Sequence, residues 1–155
     1  MSEVEAVNAP KFANKTEMVS YVRNSFEGRV PAQNLDYLVE AVESAAETKF
    51  PTSGSVAGFA IWVRLNLDCQ GYHFTGDAFG LATAGGGPCW GDLYTDNLQR
   101  CLRDTRSFSV NVTPVTVLAT FHADDSTLLG TFIGGGVMAP ALAFTGGGKG
   151  GWTRG

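Results

Sequence analysis

From residue 51 onward this chain has no glutamate and only one lysine, Lys149, against seven aspartates and five arginines. Glutamate and lysine favour helices while aspartate favours turns, so the shortage excludes a helical second half. Residues 1–50 are the reverse, with seven glutamates and Asp36 set against five lysines and arginines. The shift in composition marks an expected boundary near Pro51, between a helical N-terminal extension (1–50) and a β domain (51–155). Positive charge is also short: the net charge is −4. That excludes the basic face nucleic acid requires and disfavours anionic membranes at neutral pH. No run reaches the roughly 18 apolar residues of a membrane-spanning helix. The acidic start, Met1-Ser2-Glu3-Val4-Glu5, lacks the apolar core of a secretory signal.

Reactive side chains are scarce as well. There are two histidines, His73 and His122, neither with a second His or Cys at ligand spacing, so no metal site is expected. The three cysteines, Cys69, Cys89 and Cys101, cannot all pair within one chain and read as buried or free thiols, with one pairing left open. A nucleophile–base pair from Cys89 or Cys101 and a histidine has no supporting sequence context. No catalytic residue and no cofactor is assigned. Asn14 and Asn111 head Asn-x-Thr triplets, which carry little weight without a signal peptide.

What is abundant is glycine, twenty residues of which nineteen follow residue 50, with tripeptides at 85–87, 134–136 and 146–148. These separate short β-branched and aromatic runs, the pattern of a small antiparallel β protein with tight turns. None of the tripeptides opens a helix with a P-loop lysine, so a phosphate loop is not expected. Before this region, Asn14-Lys15-Thr16-Glu17 predicts a capped helix with Met18, Val19, Val22 and Phe26 on one side, stopped by Gly28. After Val30-Pro31, Leu35, Leu38, Val39, Val42, Ala45 and Ala46 form a second helical stripe. The pair reads as a helical hairpin docked on the β domain or as a partner-binding unit.

From Gly54 the period becomes two. Val56–Leu67 reads as one long strand with Phe59, Ile61, Val63, Leu65 and Leu67 on a single face, turning at Cys69-Gln70-Gly71 into Tyr72–Leu81. Gly85-Gly86-Gly87-Pro88 reads as a loop before Cys89–Tyr94. Asp96–Gln99 caps a short helix with Leu98, Cys101 and Leu102 inward. Ser107–Val112, Val115–His122, Leu128–Met138 and Ala139–Phe144 complete the set, with Trp152 extending the last strand. Val115, Val117, Ala119 and Phe121 are expected on one face. Seven or eight strands at about ten-residue spacing predict a sandwich or a closed barrel. The large inward set, Phe59, Phe74, Phe108, Phe121, Phe132 and Phe144, favours a filled interior. Trp90, Trp152 and neighbouring Asp92 are the candidate surface binding residues, since exposed tryptophans beside glycines grip sugars or membrane interfaces, while buried tryptophans would instead plug a barrel end, the reading favoured for the two.

Read in order, Phe74-Thr75-Gly76-Asp77-Ala78-Phe79-Gly80-Leu81, Trp90-Gly91-Asp92-Leu93-Tyr94-Thr95-Asp96-Asn97-Leu98-Gln99-Arg100, Asp104-Thr105-Arg106-Ser107-Phe108, Leu128-Leu129-Gly130 and Gly146-Gly147-Gly148 to Gly151-Trp152 resemble the virulence-associated protein (Vap) family of actinobacterial intracellular pathogens. The resemblance covers roughly residues 55–152. It implies a mainly β fold, a closed eight-stranded antiparallel barrel of two Greek keys with one short inserted helix. It also implies secretion and a non-enzymatic effector acting on membranes or a host protein; the oligomeric state is left open, with a monomer favoured. The chain departs from the family in its three cysteines and its two N-terminal helices. The alternative reading is a barrel that binds a small ligand or a glycan.

Overall fold

Asn14 opens the first helix, α1 (Lys15–Phe26), by accepting a hydrogen bond from the Glu17 amide at 2.9 Å. The Glu17 carboxylate reaches back to the Ala13 amide at 2.6 Å, one residue earlier than the simple capping box places it. This computed structural model describes residues 9–80, 82, 84–138 and 142–155. Gly28, with φ of 80°, turns the chain toward Pro31 and α2 (Ala32–Glu43). Met18, Val22 and Phe26 of α1 pack on Leu35, Leu38, Val39 and Val42 of α2. Lys15 Nζ then donates to the carbonyls of Val42 and Ala45, at 3.1 and 2.6 Å. It thereby satisfies acceptors that a helix end leaves free.

Eight strands follow: β1 (Lys49–Gly58), β2 (Trp62–Cys69), β3 (Tyr72–Phe79), β4 (Gly85–Tyr94), β5 (Ser107–Val112), β6 (Thr116–His122), β7 (Leu128–Gly136) and β8 (Phe144–Arg154). A short helix, α3 (Leu98–Asp104), lies between β4 and β5, and its Asn97 cap accepts from the Arg100 amide at 3.0 Å. The strands are antiparallel and close in the order β1-β2-β3-β8-β5-β6-β7-β4. In each half the fourth strand returns beside the first: β4 pairs with β1, and β8 with β5. Each half is therefore a Greek key. Gln70 and Gly71, with φ of 51° and 82°, form the two-residue turn that sets the β2–β3 register.

Sixteen of the twenty glycines sit inside strands, so their main role is space within the sheet and not turn punctuation. On β8 the inward positions between Phe144 and Trp152 are Gly146, Gly148 and Gly150. A Cβ at Gly150 would strike the Phe74 ring, and one at Gly76 of β3 would strike Phe108. The rings thus occupy volume that the glycines give up, the small-against-large alternation of a narrow barrel. Phe74 sits at the centre, with ring centroids 5.1 Å from Phe108, 5.0 Å from Phe121 and 5.3 Å from Trp152. The interior is filled by side chains, as the large inward set predicts, with Phe59 the exception.

The helical hairpin lies on the outer wall. Its apolar face covers Leu118 of β6, Ile133 of β7 and Tyr94 of β4. Tyr21 and Ser25 of α1 both hydrogen-bond Thr116 Oγ1, at 3.2 and 3.0 Å.

Four expectations change. The long Val56–Leu67 strand is two strands, because the chain reverses at 59–61, where Ala60 takes φ of 72°. Phe59 and Ile61 leave the core as a result. Gly85–Pro88 is strand, paired with Ser55–Gly58, because a Cβ at Gly86 would collide with the Val56 carbonyl of the neighbouring strand. Val115 belongs to the β5–β6 turn and is exposed, while Val117, Ala119 and Phe121 face inward. The last strand starts at Phe144 and runs through the glycines to Arg154. The expected strand end at Leu81 and the start of Ala139–Phe144 lie outside the described residues.

Candidate functional site

Strand alternation decides where the three candidate binding residues go. Cys89, Gly91 and Leu93 of β4 face inward, so Trp90 and Asp92 share the outer wall. Trp90 is half-buried opposite Ser53 and Gly135, and Asp92 is 7 % exposed between Pro51 and Ile133. Trp152 faces the other way. It is 8 % exposed inside the barrel, 5.5 Å from Phe121, and its indole Nε1 is buried without a hydrogen-bond partner. Trp90 and Asp92 are neighbours, and Trp152 does not join them.

A different surface gathers what the alternation leaves outside. At the end where β1, β3, β5 and β7 finish, four connections meet: 58–62, 79–85, 112–116 and 136–144. None contains Asp, Glu, Lys, Arg or His. Phe59, Ile61, Phe79, Val115 and Val137 all lie here, each 48–66 % exposed. Only Tyr37 and Leu128 are comparable exposed apolar side chains elsewhere among the described residues. Backbone pairing fixes the rim. The Gly80 amide donates to Ile61 O at 3.1 Å and the Ala82 amide to Ala60 O at 2.7 Å. On the other side Gly136 N donates to Val115 O at 3.1 Å and Met138 N to Pro114 O at 3.2 Å. Phe59 stacks on Trp62 at 4.3 Å, and Arg64 sits over the same indole at 5.1 Å while pairing with Asp77 at 2.9 Å. The charges a short way along the wall are thus neutralised in a pair.

The opposite end carries α3 and the β6–β7 turn, with Asp96, Arg100, Arg103, Asp104, Arg106, Asp124 and Asp125. Arg103 Nε lies 2.8 Å from Asp104 Oδ1, and that hydrogen bond holds the Asp104 carboxyl below its ordinary pKa. Bonds from Thr127 do the same for Asp125.

The titratable groups inside are quiet. All three cysteines are free and buried. Burial pushes the Cys89 thiol up to about 12 and Cys101 to about 11, and raises Cys69 as well. A thiol so raised stays protonated and is a poor nucleophile at neutral pH. His73 Nδ1 lies 2.9 Å from Asp68, and His122 Nε2 lies 2.8 Å from Thr120 Oγ1. Neither ring has a cysteine as its hydrogen-bond partner among the described residues. Among those residues no group of three His, Cys, Asp or Glu side chains could hold a metal ion.

The sequence profile of the family described as Rhodococcus equi virulence-associated protein matches residues 8–153. This chain belongs to that family. Among solved structures it is similar to the virulence-associated protein VapB from the intracellular pathogen Rhodococcus equi, with 31 % identity and a TM-score of 0.64. That match covers 69 % of this chain and 97 % of the VapB chain. VapD from the same organism matches at 28 % identity and a TM-score of 0.64, over 68 % of this chain and 97 % of its own. The stretch from Lys49 to Gly155 makes up about the matched share, so the barrel suffices to account for the likeness. No curated protein sequence matches significantly.

The apolar end is not visible along the sequence alone. The signal was present in four turn segments without a charge, but it becomes a surface only when the topology brings them together. Phe59 and Ile61, assigned to a strand face, belonged to it.

Proposed function

We propose that this Vap family member is a non-enzymatic effector that acts at lipid membranes, entering the bilayer interface with its uncharged barrel end. The observation that carries the reading is the clustering of Phe59, Ile61, Phe79, Val115 and Val137 on four connections without charge. Large exposed apolar patches on soluble domains mark interaction sites. Each of these side chains is about half to two-thirds exposed, so burying it in an acyl layer contributes about 1–2 kcal/mol. Five such contributions give reversible attachment, not permanent insertion. The stacked Phe59–Trp62 pair suits the headgroup boundary, where amphipathic rings concentrate.

The barrel does not span the bilayer in this reading. Its interior is apolar and the outward positions of β2 and β3 include Arg64, Asn66, Asp68, His73, Thr75 and Asp77. That is the inverse of a transmembrane barrel, which is apolar outside and polar within. Closure leaves no free strand edge, which supports action as a monomer. The raised thiols and the histidines bonded away from them support the non-enzymatic part.

Co-sedimentation with phosphatidylcholine vesicles, with and without phosphatidylserine, tests the proposal. The protein binds neutral vesicles, and the acidic net charge weakens binding to anionic ones at pH 7. Anionic vesicles gain binding as carboxylates protonate below about pH 5. Ile61→Glu with Phe79→Glu removes binding to both. Absence of binding at any value between about pH 4.5 and 7.5 overturns the membrane reading.

A further inference from the structure

A second surface carries chemistry that the barrel end does not use. Between α2 and the outer faces of β5 and β8 lies a cleft of about 240 Å³, lined by Gln33, Asn34, Tyr37, Ser109, Asn111 and Thr145. No lining residue is charged. The sequence marked Asn111 only as the head of an Asn-x-Thr triplet. In the fold it is 4 % exposed on the outward face of β5, opposite Leu118 and Thr145. Its amide is not among the fully buried polar groups without a partner, which among the described residues are Trp152 Nε1 alone, so the polar end of Asn111 reaches the cleft while the rest of the residue is buried. Unlike Trp152 Nε1 it is not sealed in, because Asn111 lines the cleft. Ser109 differs: its hydroxyl is tied to Thr120 Oγ1 at 2.5 Å, and Thr120 in turn to His122 at 2.8 Å. The open hydrogen-bonding capacity therefore belongs to Asn111, Asn34, Gln33 and Thr145, beside the exposed ring of Tyr37.

We propose that this cleft binds one neutral hexose unit. Amides and hydroxyls both donate and accept, which matches vicinal sugar hydroxyls, and an exposed aromatic ring offers an apolar face to the C–H side of a pyranose. The absence of charge disfavours phosphates, carboxylates and ammonium groups, which would lose their water without a counter-charge. The volume is below the 300 Å³ or so at which drug-sized pockets begin, a size for a single ring. The same hexose chemistry is presented by soluble glycans and by glycolipid headgroups. The inference stands apart from the uncharged end, since the cleft lies on the wall and binds in the absence of a bilayer.

The full chain is applied to an array of neutral and anionic oligosaccharides, and separately to phosphatidylcholine vesicles with and without galactosylceramide. Binding to neutral hexose glycans on the array, or a gain on the glycolipid vesicles alone, supports the proposal, and the arm that responds names the source. Tyr37→Ala lowers affinity by about tenfold. Asn111→Leu abolishes binding while leaving the thermal midpoint unchanged or raised, since an apolar group replaces an amide whose polar end faces the cleft. A merely structural Asn111 would lower the midpoint instead. Binding confined to sialylated or sulfated glycans, no binding in either arm, or full binding by both variants overturns it. Vesicle attachment lost with the paired Ile61→Glu and Phe79→Glu changes while array binding persists separates this site from the barrel end.

Discussion

At one end of the barrel four connections carry no ionisable side chain, and five large apolar groups stand in solvent. At the other end, α3 and the β6–β7 turn hold seven arginines and aspartates, several tied to one another. The same eight strands support both. Stability alone does not ask for such a difference, because a turn is free to carry charge where it faces water. The charged end is built as a water-facing cap, with Asn97 and Asp125 bonding local amides. The uncharged end carries no ionisable side chain and ties its turns together through backbone hydrogen bonds and the Thr113 hydroxyl, which accepts from the Val115 and Thr116 amides. The contrast points to two different surroundings for the two ends.

The largest effect expected from altering either end is on the core beneath it. Trp152 plugs the barrel toward the charged end, against Phe74 and Phe121. Trp152→Ala is expected to lower stability by about 3–5 kcal/mol. Trp152→Phe keeps a ring and removes the unpartnered indole N–H, so its cost stays below about 1.5 kcal/mol. Urea denaturation of the two variants checks this. Equal losses would mean that the ring is not what fills that end.

Next in size is the effect on vesicle binding. Ile61→Glu and Phe79→Glu each remove an apolar contribution of about 1–2 kcal/mol, or roughly tenfold in affinity. Folding stability is expected to change little, since both positions face water. The matching change at the charged end, Leu128→Glu, is expected to leave vesicle affinity unaltered. If Leu128→Glu weakens binding as much as Ile61→Glu, the ends are not distinct in function.

The sequence carried more of the fold than of this contrast. Period-two runs located the strands, and Asn14 and Asn97 marked helix starts that the structure retains. Glycine misled in one respect: Gly85–Gly87 looks like a turn, yet only strand proximity explains why a Cβ would collide there. Phe59 and Ile61 misled in another, since alternation continues unbroken across a tight turn that reverses at Ala60. The pairing of Trp90 with Asp92 was legible from spacing. The inward direction of Trp152 depends on β8 starting at Phe144, which local pattern does not fix.

A smaller effect concerns pH, and it separates the buried groups from both ends. Burial raises Cys89 to about 12, Tyr94 to about 12 and Cys101 to about 11. For such groups stability is fully present below the unfolded value, 9.0 for the thiols, and is lost as pH rises through the folded value. Denaturation midpoints should therefore hold from neutral pH to about 9 and fall beyond it. Cys89→Ala should flatten part of that fall. Asp104, held low chiefly by Arg103, acts in the opposite direction, losing its contribution as pH drops through its lowered value. It is a surface pair, so Arg103→Ala is expected to change stability very little. A midpoint that already declines between pH 7 and 9 would mean that the thiols are not shielded.

The smallest effect tests how firmly the uncharged end is held. Ala60 has φ of 72°, a left-handed conformation that costs a residue with a Cβ about 1–2 kcal/mol. The comparable residues at the charged end are Gln70 and Ser126. Ala60→Gly removes that steric cost but loosens the unfolded chain, which takes back about 0.4–1 kcal/mol. The net gain in stability is therefore expected to be about 1 kcal/mol or less, seen as a small rise in the urea midpoint. Ala60→Val, β-branched in the same conformation, should lose stability. Because Ala82 N donates to Ala60 O, the turn that sets Phe59 and Ile61 is pinned to the β3–β4 connection. Ala60→Gly should thus keep vesicle affinity within a factor of about two of the parent protein, while Ala60→Val should reduce it together with stability. If the glycine variant loses affinity while gaining stability, membrane binding draws on the strain of the turn and not only on its apolar side chains.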